Sequence, residues 1–171
     1  MKVLGVDPGL VRTGWAAIES RDGSYHLLAT GLIAPRADGE LPERLADGFA
    51  KFAAVLDELR PDVVVLEDVF SAPSHPTAAL RMAHMRGVLC LAAGQRGLPV
   101  EPMTATTVKQ RVTGNGHASK EQVQEMVLRL CGIARQQMRA DVSDAIALAV
   151  AGLNQLERGS SLGLGGRRRP A

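Results

Sequence analysis

Short runs of apolar residues alternate with longer segments of helical periodicity along this chain. One run occupies residues 2–7 and ends in Asp7, and a second occupies residues 62–67 and ends in Glu67. Apolar runs of this length with little polar interruption are typical of strands buried on both faces of a sheet. A proline and a glycine follow Asp7 and favour a tight turn. The pattern therefore predicts two central strands that each end in a carboxylate.

Three more strands and five helices complete the predicted order of elements. Strands are expected at 13–18, 25–34 and 98–100, and helices at 42–60, 77–93, 104–112, 120–131 and 141–156. The first two of these strands flank Asp22-Gly23, a pair that favours a two-residue hairpin. A helix lies between the third strand and the run at 62–67, so a crossover should place that run parallel to the first strand. The pattern indicates an α/β fold.

The helix at 77–93 carries apolar residues on nearly all of its faces. A helix of this kind is either a central helix of the core or part of a subunit interface. The sequence leaves both interpretations open.

Composition favours one globular domain followed by a tail. The chain has 171 residues, of which 46% are hydrophobic, and a formal net charge of +2 that allows a nucleic-acid partner without requiring one. We expect a domain at 1–157 and a disordered basic tail at 158–171, where three consecutive arginines stand among glycine, serine and proline. The sequence shows no signal peptide and no apolar run of about 18 residues. Cys90 and Cys131 are expected to be free thiols. These features predict a soluble cytoplasmic protein without membrane contact.

Four acids form the candidate chemical site. Asp7 and Glu67 end adjacent strands, and strand spacing of about 4.8 Å lets their carboxylates converge. Asp141 and Asp144 share one face of the first turn of the last helix. Asp7 could instead cap its own turn, and Asp141 and Asp144 could cap or stabilise a helix N-terminus. Four convergent carboxylates favour hard divalent cations such as Mg²⁺ or Mn²⁺, and no Cys or His set favours zinc.

Several motifs occur in register along most of the chain. They are Gly5-Val6-Asp7-Pro8-Gly9, Thr13-Gly14, Leu66-Glu67-Asp68-Val69-Phe70, Ala79-Leu80-Arg81, Met85-Arg86-Gly87, Val108-Lys109-Gln110, Lys120-Glu121-Gln122-Val123-Gln124, and Ala140-Asp141 through Asp144-Ala145-Ile146-Ala147. In these motifs the chain resembles the RuvC family of bacterial Holliday-junction resolvases as far as about residue 156. The resemblance implies a ribonuclease-H-like fold with a five-stranded mixed sheet flanked by helices, and a homodimer that nicks four-way junction DNA in recombination and repair.

The resemblance also implies roles for individual residues. The family's catalytic and metal-binding acids fall on Asp7, Glu67, Asp141 and Asp144, with two Mg²⁺ ions for each site and Mn²⁺ as a substitute. Its basic active-site residues, which would contact DNA, fall on Lys109 and Lys120, and its aromatic residue at the junction centre falls on Phe70. The implied partners are RuvA and RuvB, the branch-migration complex, and the implied products carry 5′-phosphate and 3′-hydroxyl ends.

Two weaker candidates and two departures accompany these residues. Thr13 and Ser119 could donate hydrogen bonds to a phosphate, although Ser119 also fits a capping box with Gln122. Ser74-His75-Pro76 and Ala83-His84-Met85 differ from the residues expected of the family. The first difference concerns DNA contacts near the crossover, and the second concerns dimer packing.

Two other functions remain open at this point. One is a junction-binding protein without catalysis, against which the presence of all four acids argues. An ATPase of the actin or sugar-kinase type also opens with a strand, an acid and a glycine-containing turn. That class needs a second such hairpin, and the chain contains no second copy.

Overall fold

The computed structural model describes residues 1–68, 76–134 and 140–161; at 76, 78, 140, 141 and 158–161 it describes the backbone alone. Its strands are β1 (Lys2–Asp7), β2 (Thr13–Arg21), β3 (Ser24–Ile33), β4 (Val63–Glu67) and β5 (Val100–Met103). Its helices are α1 (Leu41–Leu59), α2 (Pro76–Gly94), α3 (Ala105–Thr113), α4 (Lys120–Cys131) and α5 (Ala140–Ser161). Within these described ranges, no helix is long and apolar enough to cross a membrane.

The five strands form one mixed sheet in the order β3-β2-β1-β4-β5. The pairs β1–β2 and β2–β3 are antiparallel, whereas β4 is parallel to both β1 and β5. The predicted hairpin is confirmed, with Asp22 and Gly23 at φ of 52° and 75°. The parallel pairing predicted for the two apolar runs is confirmed by the register of β1 and β4. The crossover that this pairing requires is α1, which connects β3 to β4.

Alternation along the strands divides the core into two layers. Val3 and Val65 pack against α3, α4 and α5, whereas Leu4 and Leu66 pack against α1 and α2. Successive strand residues point to opposite faces, so Asp7 and Glu67, each an even number of positions beyond Val3 or Val65, project toward the layer of α3 to α5. This parity decides which helices can contribute to the site.

Two predicted boundaries differ from the structure. The short strand predicted at 98–100 lies instead at Val100–Met103 and includes Pro102. Proline is tolerated there because β5 is an edge strand, so the donor that Pro102 lacks is not required by a further strand. The last helix extends to Ser161, beyond the predicted domain end at Glu157. The remainder of the predicted tail, 162–171, lies outside the described residues.

The helix predicted at 77–93 combines the two interpretations that its sequence left open. Met85 and Leu89 are completely or almost completely buried in the layer between α2 and the sheet, so this face belongs to the core. On the opposite face, the side chains of Leu80 and Leu91 are 59% and 55% exposed. The described part of the chain leaves this second apolar face uncovered.

Candidate active site

The site begins where β1 and β4 end side by side. The parallel register pairs Val3 with Val63 and Val6 with Leu66, so the next residues, Asp7 and Glu67, stand at the same level of the sheet. Their side chains project to the same face, and a hydrogen bond joins the two carboxyl groups. The prediction that these acids converge is confirmed.

Helix α5 brings a third acid to this pair because it packs closely over β1. A Cβ atom added at Gly5 would collide with the carbonyl oxygen of Ala145 and would lie 2.5 Å from the amide nitrogen of Ala149. The glycine therefore permits a close approach that larger residues would prevent. The neighbouring Asp144 carboxylate consequently lies near enough to raise the pKa values of both Asp7 and Glu67. The side chain of Asp141 lies outside the described part of the chain.

Two lysines face the acids from α3 and α4. The Nζ atom of Lys120 donates a hydrogen bond of 2.7 Å to Oδ2 of Asp144. Lys109, Lys120, Glu67 and Asp144 together line a cleft of about 280 Å³ whose walls include Val108, Val123 and Leu148. The structure thus brings both predicted lysines to the acids, although α3 and α4 are separate elements.

The carboxyl pair is electrostatically strained in the metal-free protein. Burial raises the pKa of Glu67 to about 8, and the nearby charges of Asp7 and Asp144 contribute to the increase. Burial also raises the pKa of Asp7, although the hydrogen bond with Glu67 opposes this effect. The pair therefore retains a shared proton to a higher pH than isolated carboxyl groups would. The pKa of Lys120 is raised chiefly by its hydrogen bond to Asp144, so this lysine stays positively charged.

Comparison with known proteins identifies the family to which the chain belongs. The sequence profile of the family described as "Crossover junction endodeoxyribonuclease RuvC" matches residues 3–152. The chain belongs to the RuvC family.

Individual relatives support the same conclusion. A RuvC from Corynebacterium efficiens is 38% identical over 151 residues, which cover 88% of this chain and 67% of that protein. A RuvC from Rhodopirellula baltica is 39% identical over 150 residues, covering 88% and 84%. The structure of Thermus thermophilus RuvC in complex with a Holliday junction substrate matches with a TM-score of 0.86 and 27% identity, covering 94% of this chain and 97% of that one. The predicted ribonuclease-H-like fold is confirmed.

Thr13 and Ser119, which were expected to donate hydrogen bonds to a phosphate, make structural hydrogen bonds within the protein. Thr13 is fully buried, and its hydroxyl group donates to the carbonyl oxygen of Gly9 at 2.9 Å and accepts from the Gly9 amide at 3.1 Å. The Thr13 hydroxyl group thus makes both of these hydrogen bonds within the connection between β1 and β2, and its contact with a phosphate stays a prediction. The Ser119 hydroxyl group accepts from the Gln122 amide, which confirms the predicted capping box. Phe70 lies outside the described residues.

One residue beside the site had no role assigned from the sequence. Arg86 of α2 reaches the end of β4, where its guanidinium group contacts the Glu67 carbonyl oxygen and the Asp68 carboxylate. Arg86 is one of two arginines, with Arg81, on a largely apolar helix, and the sequence did not show where either side chain would reach.

Proposed function

We propose that this chain is a Mg²⁺-dependent endonuclease that resolves four-way DNA junctions by paired symmetric nicks, leaving 5′-phosphate and 3′-hydroxyl ends. The supporting observation is that Glu67 and Asp144 line one cleft with Lys109 and Lys120 in a RuvC-family chain. Asp7 is hydrogen-bonded to Glu67 beside this cleft. The junction bound to the Thermus relative supports the substrate.

The chemistry of the donors fits divalent cations. Among the side chains that the structure describes, no three His, Cys, Asp or Glu residues are arranged as a complete metal site. Burial, together with the charges of neighbouring acids, nevertheless raises the pKa values of both Asp7 and Glu67. Carboxylate oxygens are the ligands that Mg²⁺ prefers. We propose that Asp7, Glu67, Asp141 and Asp144 would hold two Mg²⁺ ions, with Mn²⁺ able to substitute. When bound, such ions stabilise the attacking and leaving oxygens of phosphodiester hydrolysis.

The two lysines orient the scissile phosphate. Lys120 remains positively charged because of its contact with Asp144, and Lys109 lines the same cleft. Fixed positive charges beside a phosphodiester both attract the DNA backbone and stabilise negative charge that develops on its oxygens. The carboxyl pair must give up its shared proton before both groups can act as anionic ligands, so ion binding should release a proton.

The experiment that tests the activity is a nicking assay on a mobile four-way junction, with and without Mg²⁺. The proposed function requires paired nicks that depend on the cation. Junction binding without nicking would instead favour the non-catalytic alternative. ATP hydrolysis without a preference for four-way DNA would favour the kinase-like alternative, which the family match already disfavours.

We propose that the chain acts as a homodimer and works with RuvA and RuvB. Two copies suit a substrate with two-fold symmetry, because each copy presents one active site to one strand. The uncovered apolar face of α2, with Leu80 and Leu91, supports a self-interface. A stable interface of standard size would bury about 800 Å² on each copy.

The dimer proposal predicts that Leu91→Glu produces a folded monomer, because a carboxylate would be buried in the interface. Sedimentation velocity should show loss of the dimer, while circular dichroism remains unchanged. Leu28→Glu, at a β3 side chain that is 41% exposed, is the matched control and should leave the dimer intact. A dimer of normal stability in Leu91→Glu would place the interface elsewhere.

Phe70 is proposed to stack on a base at the opened junction centre, and Phe70→Ala should therefore fold but nick intact junctions poorly. Stacking is worth about 1–3 kcal/mol per base, which corresponds to roughly a 5- to 150-fold loss of rate. A junction with unpaired bases at its centre should restore much of the rate, because its opening cost is already absent. Phe70→Tyr keeps the ring and serves as the control, and equal defects of Phe70→Ala on both substrates would indicate a packing role.

A further inference from the structure

Arg86 approaches the active site from the opposite face of the sheet. It lies on α2, whereas the carboxylates of Asp7 and Glu67 project toward the layer of α3 to α5. Its Nε atom donates to the Glu67 carbonyl oxygen at 3.1 Å, and its Nη2 atom lies 3.1 Å from Oδ1 of Asp68. Only 24% of the Arg86 side chain is exposed. The contact is therefore a partly buried link between α2 and the end of β4.

The carbonyl group that Arg86 binds lies where β4 has lost its pairing with β1 but still pairs with β5, through Glu67 and Met103. The ladder between β1 and β4 ends at the pair Val6 and Leu66, one residue before Glu67. On the other side, the Asp68 amide donates to the Met103 carbonyl oxygen at 2.9 Å. Arg86 therefore holds the carbonyl group of the peptide between Glu67 and Asp68, and β5 holds its N–H group. Rotation of this peptide would turn the Glu67 carboxyl group away from Asp7.

We infer that Arg86 is a positioning residue that sets the direction of the Glu67 carboxylate and so prepares the cation site; the inference rests on the proposed metal-dependent function. The donors of Arg86 contact the main chain and Asp68, not the carboxylates of the site. Residues that orient metal ligands in this way typically change metal affinity or activity by about 10- to 100-fold when they are replaced. Arg86 therefore acts on cation binding through Glu67.

Arg96, two residues after the end of α2, provides a matched control for Arg86. Its guanidinium group contacts both carboxylate oxygens of Asp57 at 2.7 and 2.8 Å and donates to the Ala92 carbonyl oxygen at 3.1 Å. Its side chain is 25% exposed, which matches Arg86. Arg96 lies beside Pro61, near the start of β4 and thus at the opposite end of the strand from Glu67. Both arginines contact an aspartate and a main-chain carbonyl oxygen. Of the two, only Arg86 contacts the main chain of a proposed metal ligand, Glu67.

The experiment measures cation binding without DNA. The variants Arg86→Met and Arg96→Met keep much of the apolar stem and remove the donors. Mn²⁺ is titrated into each full-length protein, and free Mn²⁺ is measured by electron paramagnetic resonance. We expect Arg86→Met to raise the Mn²⁺ dissociation constant at least about tenfold and Arg96→Met to leave it within about twofold. Junction binding in a chelator should be equal in all three proteins, and the nicking defect of Arg86→Met should shrink at high Mg²⁺.

Other results would overturn the inference. Equal Mn²⁺ affinity in Arg86→Met and Arg96→Met, with similar losses of thermal stability, would make Arg86 an ordinary structural residue. Weaker junction binding of Arg86→Met in chelator, with unchanged Mn²⁺ affinity, would make Arg86 a phosphate ligand. If Arg86→Met does not fold, Arg86→Lys and Asp68→Asn carry the same titration and must show the same direction. Failure of the wild-type protein to bind Mn²⁺ would instead refute the proposed function.

Discussion

Asp7→Asn should reduce Mg²⁺-dependent nicking of a four-way junction by at least about 10³-fold. The substitution keeps the size of the side chain but removes a negative charge. It also removes the ligand that is proposed to bridge the two cations. A loss of this size corresponds to about 4 kcal/mol of transition-state stabilisation, which is reasonable for disruption of a two-cation site. Single-turnover nicking on a mobile junction at saturating protein is the measurement.

Folding and junction binding should survive this substitution. The pKa of Asp7 is raised by burial and by the Asp144 charge, so a neutral side chain relieves repulsion in the metal-free protein. Binding measured by gel shift should persist or tighten, because a negative charge near the phosphate is gone. Asp22→Asn removes the same charge at the hairpin turn at the opposite end of the sheet, where asparagine tolerates the positive φ. Nicking by Asp7→Asn at a rate near that of wild type would place the active site elsewhere.

The metal-free protein should lose stability as the pH rises from about 5 to about 8. Burial and the neighbouring acids raise the pKa of Glu67 to about 8 from an ordinary value of 4.5. Between these values the folded state binds more protons than the unfolded chain, so the free energy of unfolding falls with increasing pH. One unit of pKa corresponds to about 1.4 kcal/mol. Because the carboxyl group is only partly buried, we expect a total loss on the order of 3 kcal/mol.

Urea unfolding at a series of pH values in chelator measures this loss. Glu67→Gln should remove most of the pH dependence that wild type shows in this window, whereas Glu58→Gln, at an exposed position of α1, should leave it unchanged. Saturating Mg²⁺ should offset the loss in wild type, because the cation binds the deprotonated carboxylates and stabilises the folded state. Identical pH profiles for wild type and Glu67→Gln would show that the pair does not share a buried proton.

Local patterns in the sequence were sufficient to identify most elements and the family. Apolar runs predicted β1 and β4, and a crossover helix predicted their parallel pairing, because backbone geometry links strand direction to connection length. The same pairing brought Asp7 and Glu67 together. The Asp22-Gly23 turn and the Ser119 cap were predictable because their hydrogen bonds or backbone angles depend on residues only a few positions apart.

The tertiary structure decided what each of the other residues near the site does. The lysines of α3 and α4 share one cleft with Glu67 and Asp144. Arg86 reaches a carbonyl group 19 residues away in sequence. Neither of these arrangements has a local periodicity, because each depends on how helices pack across the sheet. The close approach of α5 to β1 at Gly5 is an example of such packing. Packing between the layers determines which side chains meet, whereas short-range periodicity determines the order of the elements.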